Sequence, residues 1–144
     1  MEFAEQIGNR RAKKQVKLTG ISKRHVVVEG QSASDMCCQA AEKLFTKLDW
    51  ERDSIRVLVF VTQSEDVKTP STAMIIQKRL GIGQDCLAFD VNLGCSGYVS
   101  GLQIVSALLN NTGGRALLLC GDGKYYNVRK NTSTDAMLFG DAGT

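Results

Sequence analysis

The chain has 144 residues, 43% of them apolar and 23% charged, and a net charge of +3. This is an ordinary globular mix, too apolar and too weakly charged for a disordered chain and long enough to bury one core. The longest apolar stretches, Val57–Val61 and Ala116–Cys120, fall far short of the ~20 residues of a membrane span.

In chain order, residues 3–18 read as a helix with Phe3 and Ile7 on one face, stopped by Thr19-Gly20. Arg24–Val28 is a short β-branched run and predicts a strand. Ser32 and Asp35 have the spacing of a capping box, ahead of a helix over 33–48 whose stripe is Met36, Ala40, Leu44 and Leu48. Ile55–Thr62 is apolar at nearly every position, the pattern of a strand covered on both faces. After a polar loop, Gln63–Thr69, the pair Thr69-Pro70 predicts an N-cap and a first helical residue, with Gly81 ending that helix. Cys86–Val91 predicts a second buried strand, Cys95 to about Asn111 a helix, and Arg115–Cys120 a third strand after Gly113-Gly114. A further apolar run starts at Ala136. Strands alternating with helices imply parallel pairing with helices on both faces, hence an α/β unit over 1–144.

Charge is uneven. Residues 1–24 hold seven Lys/Arg against two Glu, and the rest of the chain is slightly acidic. A basic end can meet phosphate, an acidic protein or nucleic acid, or be a solvated helix face. Without interleaved aromatics it is a poor platform for single strands, so no nucleic-acid partner is expected. No apolar h-region follows Met1, so no secretory signal is expected. The five Cys, an odd number without paired spacing, argue for a reducing cytoplasm rather than a disulfide framework.

The sharpest local feature is Asp90-Val-Asn-Leu-Gly-Cys-Ser-Gly-Tyr98. A buried strand leads through Gly94 to Cys95 at the start of a helix. There, free N–H groups and the helix dipole favour a thiolate. A nucleophile on a strand-turn-helix junction suits acyl transfer; a small Cys filling a tight turn would read the same way. Cys37, Cys38, Cys86 and Cys120 fall in predicted helix or strand interiors and read as core. No Cys or His spacing suits a metal site, and none is expected. The single His, His25, has no evident route to Cys95 and reads as structural.

Taken together these segments resemble a known family. Thr19-Gly-Ile-Ser-Lys-Arg-His25, the helix Pro70 to Ile82, the Cys95 motif from Ala88 to Tyr98, Gly121-Asp122 and Phe139-Gly-Asp-Ala-Gly143 resemble, in order, its motifs. The family is β-ketoacyl-acyl-carrier-protein synthase III, within the thiolase-like condensing enzymes. The resemblance runs from about Leu18 to Thr144.

The resemblance implies the first half only of a thiolase-like αβαβα fold, short at both ends relative to the family, and a homodimer. It implies that Cys95 takes an acyl group from a coenzyme A or carrier-protein thioester, without a cofactor. Malonyl-carrier protein then decarboxylates and condenses with it, in fatty acid biosynthesis. The Cys95 N–H would be one oxyanion donor, and the family's His and Asn fall after Thr144. It puts Thr69 where the acyl pocket is gated across the dimer, usually by an aromatic, which implies a roomier pocket. It puts Lys14, the vicinity of Ser133 and Leu18 where members that use acetyl-coenzyme A carry an aromatic and Arg residues, which implies another acyl donor. The fragment alone is expected to be inactive in condensation. A non-catalytic pairing module and an acyltransferase of a secondary or polyketide-type pathway are the alternatives.

Overall fold

A computed structural model describes residues 9–123 and 139–144. Residues 3–8 of the first expected helix and most of the run from Ala136 lie outside them. Helix α1 (Asn9–Thr19) is followed by α2 (Ala33–Leu48), β1 (Ile55–Val61), α3 (Thr72–Arg79), β2 (Leu87–Val91), α4 (Gly97–Thr112), β3 (Arg115–Asp122) and β4 (Ala142–Gly143). The strands form one sheet in the order β2-β1-β3-β4. The first three are parallel, as the alternation predicts, and β4 adds antiparallel to β3. Among the described residues no helix is long and apolar enough to cross a membrane.

Strand β1 is the centre. Leu58 and Phe60 point to the face covered by α2 and α3, with Leu117 and Leu119 from β3. Val57, Val59 and Val61 point to the face covered by α4. The period of two holds except at one point: the β1–β3 register shifts between Ile55 and Val57. That bulge at Arg56 lets Ile55 share the α2/α3 face with Leu58, three positions on.

The helices lie close because small residues face the sheet. A Cβ at Gly97 would stand 2.5 Å from Val61 Cγ1, and one at Gly101 2.7 Å from Leu118 Cδ1. On the other face, a Cβ at Gly143 would stand 2.6 Å from Met36 Cβ and 2.7 Å from the Cys37 nitrogen. Helix α2 thus seats directly on the short strand β4. Its start has the capping box read from the sequence: Asp35 N–H donates to Ser32 Oγ at 3.3 Å and Ser32 N–H to Asp35 Oδ2 at 2.8 Å.

The strand expected over Arg24–Val28 is not formed. The open edge of β3 is taken by β4, and this segment runs beside residues 139–141, which lead into β4. Asp141 N–H donates to His25 O at 2.9 Å, and Val27 N–H donates to Asp141 Oδ2 at 2.9 Å. A β-branched run sets an extended backbone; a ladder also needs a free edge.

Helix α3 differs too. It starts at Thr72 with Ser71 as N-cap and no side-chain bond from that residue. The expected Thr69 cap is replaced by a carboxylate distant in sequence: Asp90 Oδ2 and Oδ1 accept the N–H groups of Thr72 at 2.6 Å and Ala73 at 2.7 Å. Asp90 sits on β2 on the α3 face, beside buried Ala88. An anion at a helix N-terminus satisfies the orphan donors and the dipole together.

Candidate active site

Cys95 lies two residues before the helix in which the sequence pattern places it. Strand β2 ends at Val91, the chain turns through Asn92 and Leu93, and Ser96 is the N-cap of α4. Cys95 sits in a turn closed by Gly97 N–H donating to Gly94 O at 2.8 Å. The regular helix begins at Gly97, which lies close against Val61. Cys95 is exposed, while Cys37, Cys38 and Cys86 are buried and Cys120 is half-buried.

The thiols separate chemically. Burial pushes Cys37 up to about 12, against the hydrogen bond it makes to Thr144 O. Burial also pushes Cys86 up to about 11 and raises Cys38 and Cys120. These four are held as neutral core thiols, as read from the sequence.

Thr69 lies in the loop 62–71 between β1 and α3, and it is exposed. This loop is held by carboxylates along its length. At its start, Asp122 Oδ1 accepts from Thr62 Oγ1 at 3.1 Å, Gln63 N–H at 2.7 Å and Ser64 Oγ at 3.0 Å. In its middle, Asp66 accepts from buried Ser34 Oγ and gives its N–H to Thr72 Oγ1 at 3.2 Å. At its end, Asp90 caps α3. Thr62 N–H also donates to Val91 O at 3.1 Å, tying the loop to the end of β2. The segment bearing Thr69 and the turn bearing Cys95 are therefore anchored to the same strand end. In the sequence, Asp90 and Asp122 stand out only as acidic residues at the C-terminal ends of two buried strands, where a carboxylate must find donors.

His25 is not brought to Cys95. Its carbonyl is bound at the β4 edge, whereas Cys95 follows β2 at the opposite edge. In the Phe139–Gly143 segment Asp141 is buried and holds the 25–27 segment, and a Cβ at Gly140 would stand 2.9 Å from His25 O. Ser133 lies outside the described residues. Lys14 is exposed on α1. No group of three or more His, Cys, Asp or Glu among the described residues could hold a metal ion.

A largely parallel sheet covered on both faces, with a Cys on the turn into the helix after β2, has the architecture of the N-terminal half of the thiolase-like fold. The chain belongs to the family of chalcone and stilbene synthases, N-terminal domain, whose pattern it matches over residues 4–143. Its relatives there are β-ketoacyl-acyl-carrier-protein synthases III. It is 33% identical over 127 residues to that of Acholeplasma laidlawii and 32% identical over 124 residues to that of Neisseria meningitidis, covering 86% and 85% of this chain. The crystal structure of a 3-oxoacyl-(acyl-carrier protein) synthase from Burkholderia xenovorans superposes with a TM-score of 0.88 at 36% identity, over 98% of this chain and 41% of that one. The chain spans about two fifths of the length of the curated relatives it matches.

Proposed function

We propose that this chain supplies the acyl-accepting half of a β-ketoacyl-acyl-carrier-protein synthase III, with Cys95 as nucleophile. The observation that carries the reading is the exposed Cys95 on the turn between β2 and α4, in a chain whose other four thiols are core. The Cys95 thiolate attacks the carbonyl of an acyl thioester. The carbonyl oxygen takes up negative charge facing backbone N–H groups, that of Cys95 among them. The tetrahedral intermediate collapses, the thiol of coenzyme A or of a carrier protein leaves, and the acyl group remains on Cys95. Malonyl-carrier protein then loses carbon dioxide, and its carbanion attacks the acyl carbonyl to form the new carbon–carbon bond and free Cys95. In the family a His and an Asn serve that second step, and the resemblance puts them after Thr144. Condensation therefore belongs to the whole enzyme, a cytoplasmic homodimer with acyl carrier protein as its partner.

The test is acylation of the chain by acyl-coenzyme A and by acyl-carrier protein, read by intact mass and peptide mapping. The expected result is a single acyl group on the Cys95 peptide, absent in Cys95→Ala. Acyl groups spread over several thiols, or none, would overturn the assignment. Thr69 is the pocket gate in this reading: Thr69→Phe in the whole enzyme narrows the range of accepted chains, and an unchanged range removes that role.

A further inference from the structure

The turn that carries Cys95 is clasped from two sides. On one side Gly97 packs on Val61, as described above. On the other side is Gln63: a Cβ at Gly94 would stand 2.8 Å from Gln63 Oε1, 3.1 Å from its Cδ and 3.3 Å from its Nε2. All three atoms of the side-chain amide thus lie against Gly94, the residue before Cys95. The backbone of Gln63 is itself fixed, because its N–H donates to Asp122 Oδ1 at 2.7 Å. Asp122 is the last residue of β3, so the brace runs from the sheet through Gln63 to the turn.

We propose that Gln63 is a positioning residue for Cys95, its amide bracing the Gly94–Cys95 turn so that the Cys95 N–H and thiol keep one orientation at the start of α4. The proposal rests on the reading of Cys95 as the nucleophile. Gly94 follows from it: its φ is not in the left-handed region, so the constraint there is the space taken by the amide rather than the backbone. Without the brace the turn loosens, and the Cys95 N–H and thiol no longer keep one orientation.

The test is iodoacetamide labelling of Cys95 against pH in the 144-residue chain, with peptide mapping and a parallel thermal melt. Gln63→Ala is expected to slow labelling of Cys95 about threefold across the profile, on the scale of one lost polar contact, with the melt little changed. Gly94→Ala displaces the same amide and gives the same slowing. The double variant is then no slower than either single one, because both act through one contact. Gln63→Glu keeps the shape and places a negative charge beside the turn, so it raises the profile while leaving the melt unchanged. Labelling that does not change in the Gln63 variants overturns the brace, as do single effects that multiply in the double variant. If Cys95 of the unaltered chain labels no faster than Cys120, the nucleophile reading fails first and the brace with it. A fast Cys95 that is indifferent to Gln63 leaves the nucleophile standing alone.

Discussion

The carboxylate of Asp90 and the backbone of Thr72 meet at 2.6 Å, with Ala73 held by the second oxygen at 2.7 Å. The strand leading to Cys95 is thereby the cap of the helix that ends the Thr69 loop. Asp90→Ala leaves those two donors without their acceptor and is expected to cost about 2 kcal/mol of stability. Urea unfolding checks it. Asp90→Asn, which keeps one acceptor oxygen, should lose less, and an Asp90→Ala chain as stable as the unaltered one would show that the carboxylate does not act as the cap.

Gly97→Ala tests the close seat of α4. The added Cβ meets Val61 Cγ1 at 2.5 Å, and a buried β-branched side chain on the central strand has no easy rotamer to give. Overpacking of this kind costs about 1–3 kcal/mol. The larger effect should be on labelling of Cys95, because the turn is pushed away from β1. A melt and a labelling rate both equal to those of the unaltered chain would mean that the helix start is loose.

The thiols should react in a set order. At pH 8 Cys95 is expected to be alkylated first, and Cys37 and Cys86 to stay unlabelled while the chain is folded. Burial pushes Cys37 to about 12 and Cys86 to about 11, which leaves both protonated and enclosed. Peptide mapping after timed labelling reads the order. Early labelling of Cys37 would mean that α2 does not stay seated on β4.

Acid should expose the capping box of α2. The N–H of Ser32 bonded to its carboxylate holds Asp35 below the usual range; partial burial opposes this, and the Arg79 guanidinium at 2.6 Å adds to the lowering. A depressed carboxyl contributes stability that is complete above its unfolded value of about 3.9 and is lost as pH falls through the folded value. Stability of the unaltered chain should therefore fall more steeply below that pH than stability of Asp35→Asn. Parallel acid limbs in urea unfolding at stepped pH would remove Asp35 from the account.

The local elements and their class are legible in short stretches of the chain. The unbroken apolar run of Ile55–Val61, the Ser32/Asp35 spacing and the Gly113-Gly114 break each encode their outcome within a few neighbouring residues, and the structure has each of them. The ordered motifs around Cys95 likewise sufficed to place the chain in its family. What depends on residues far apart in the chain came with packing. It moved the start of α3 to Thr72 by bringing Asp90 there, eighteen residues on. It left Arg24–Val28 out of the sheet because β4 had taken the edge. It set Cys95 just outside α4, where Gly97 meets Val61, and laid Gln63 against Gly94. Hydrophobic period and capping chemistry act over a turn of helix or a few residues of strand. A donor's distant partner, a strand's free edge and the space beside a nucleophile exist only after the chain has packed.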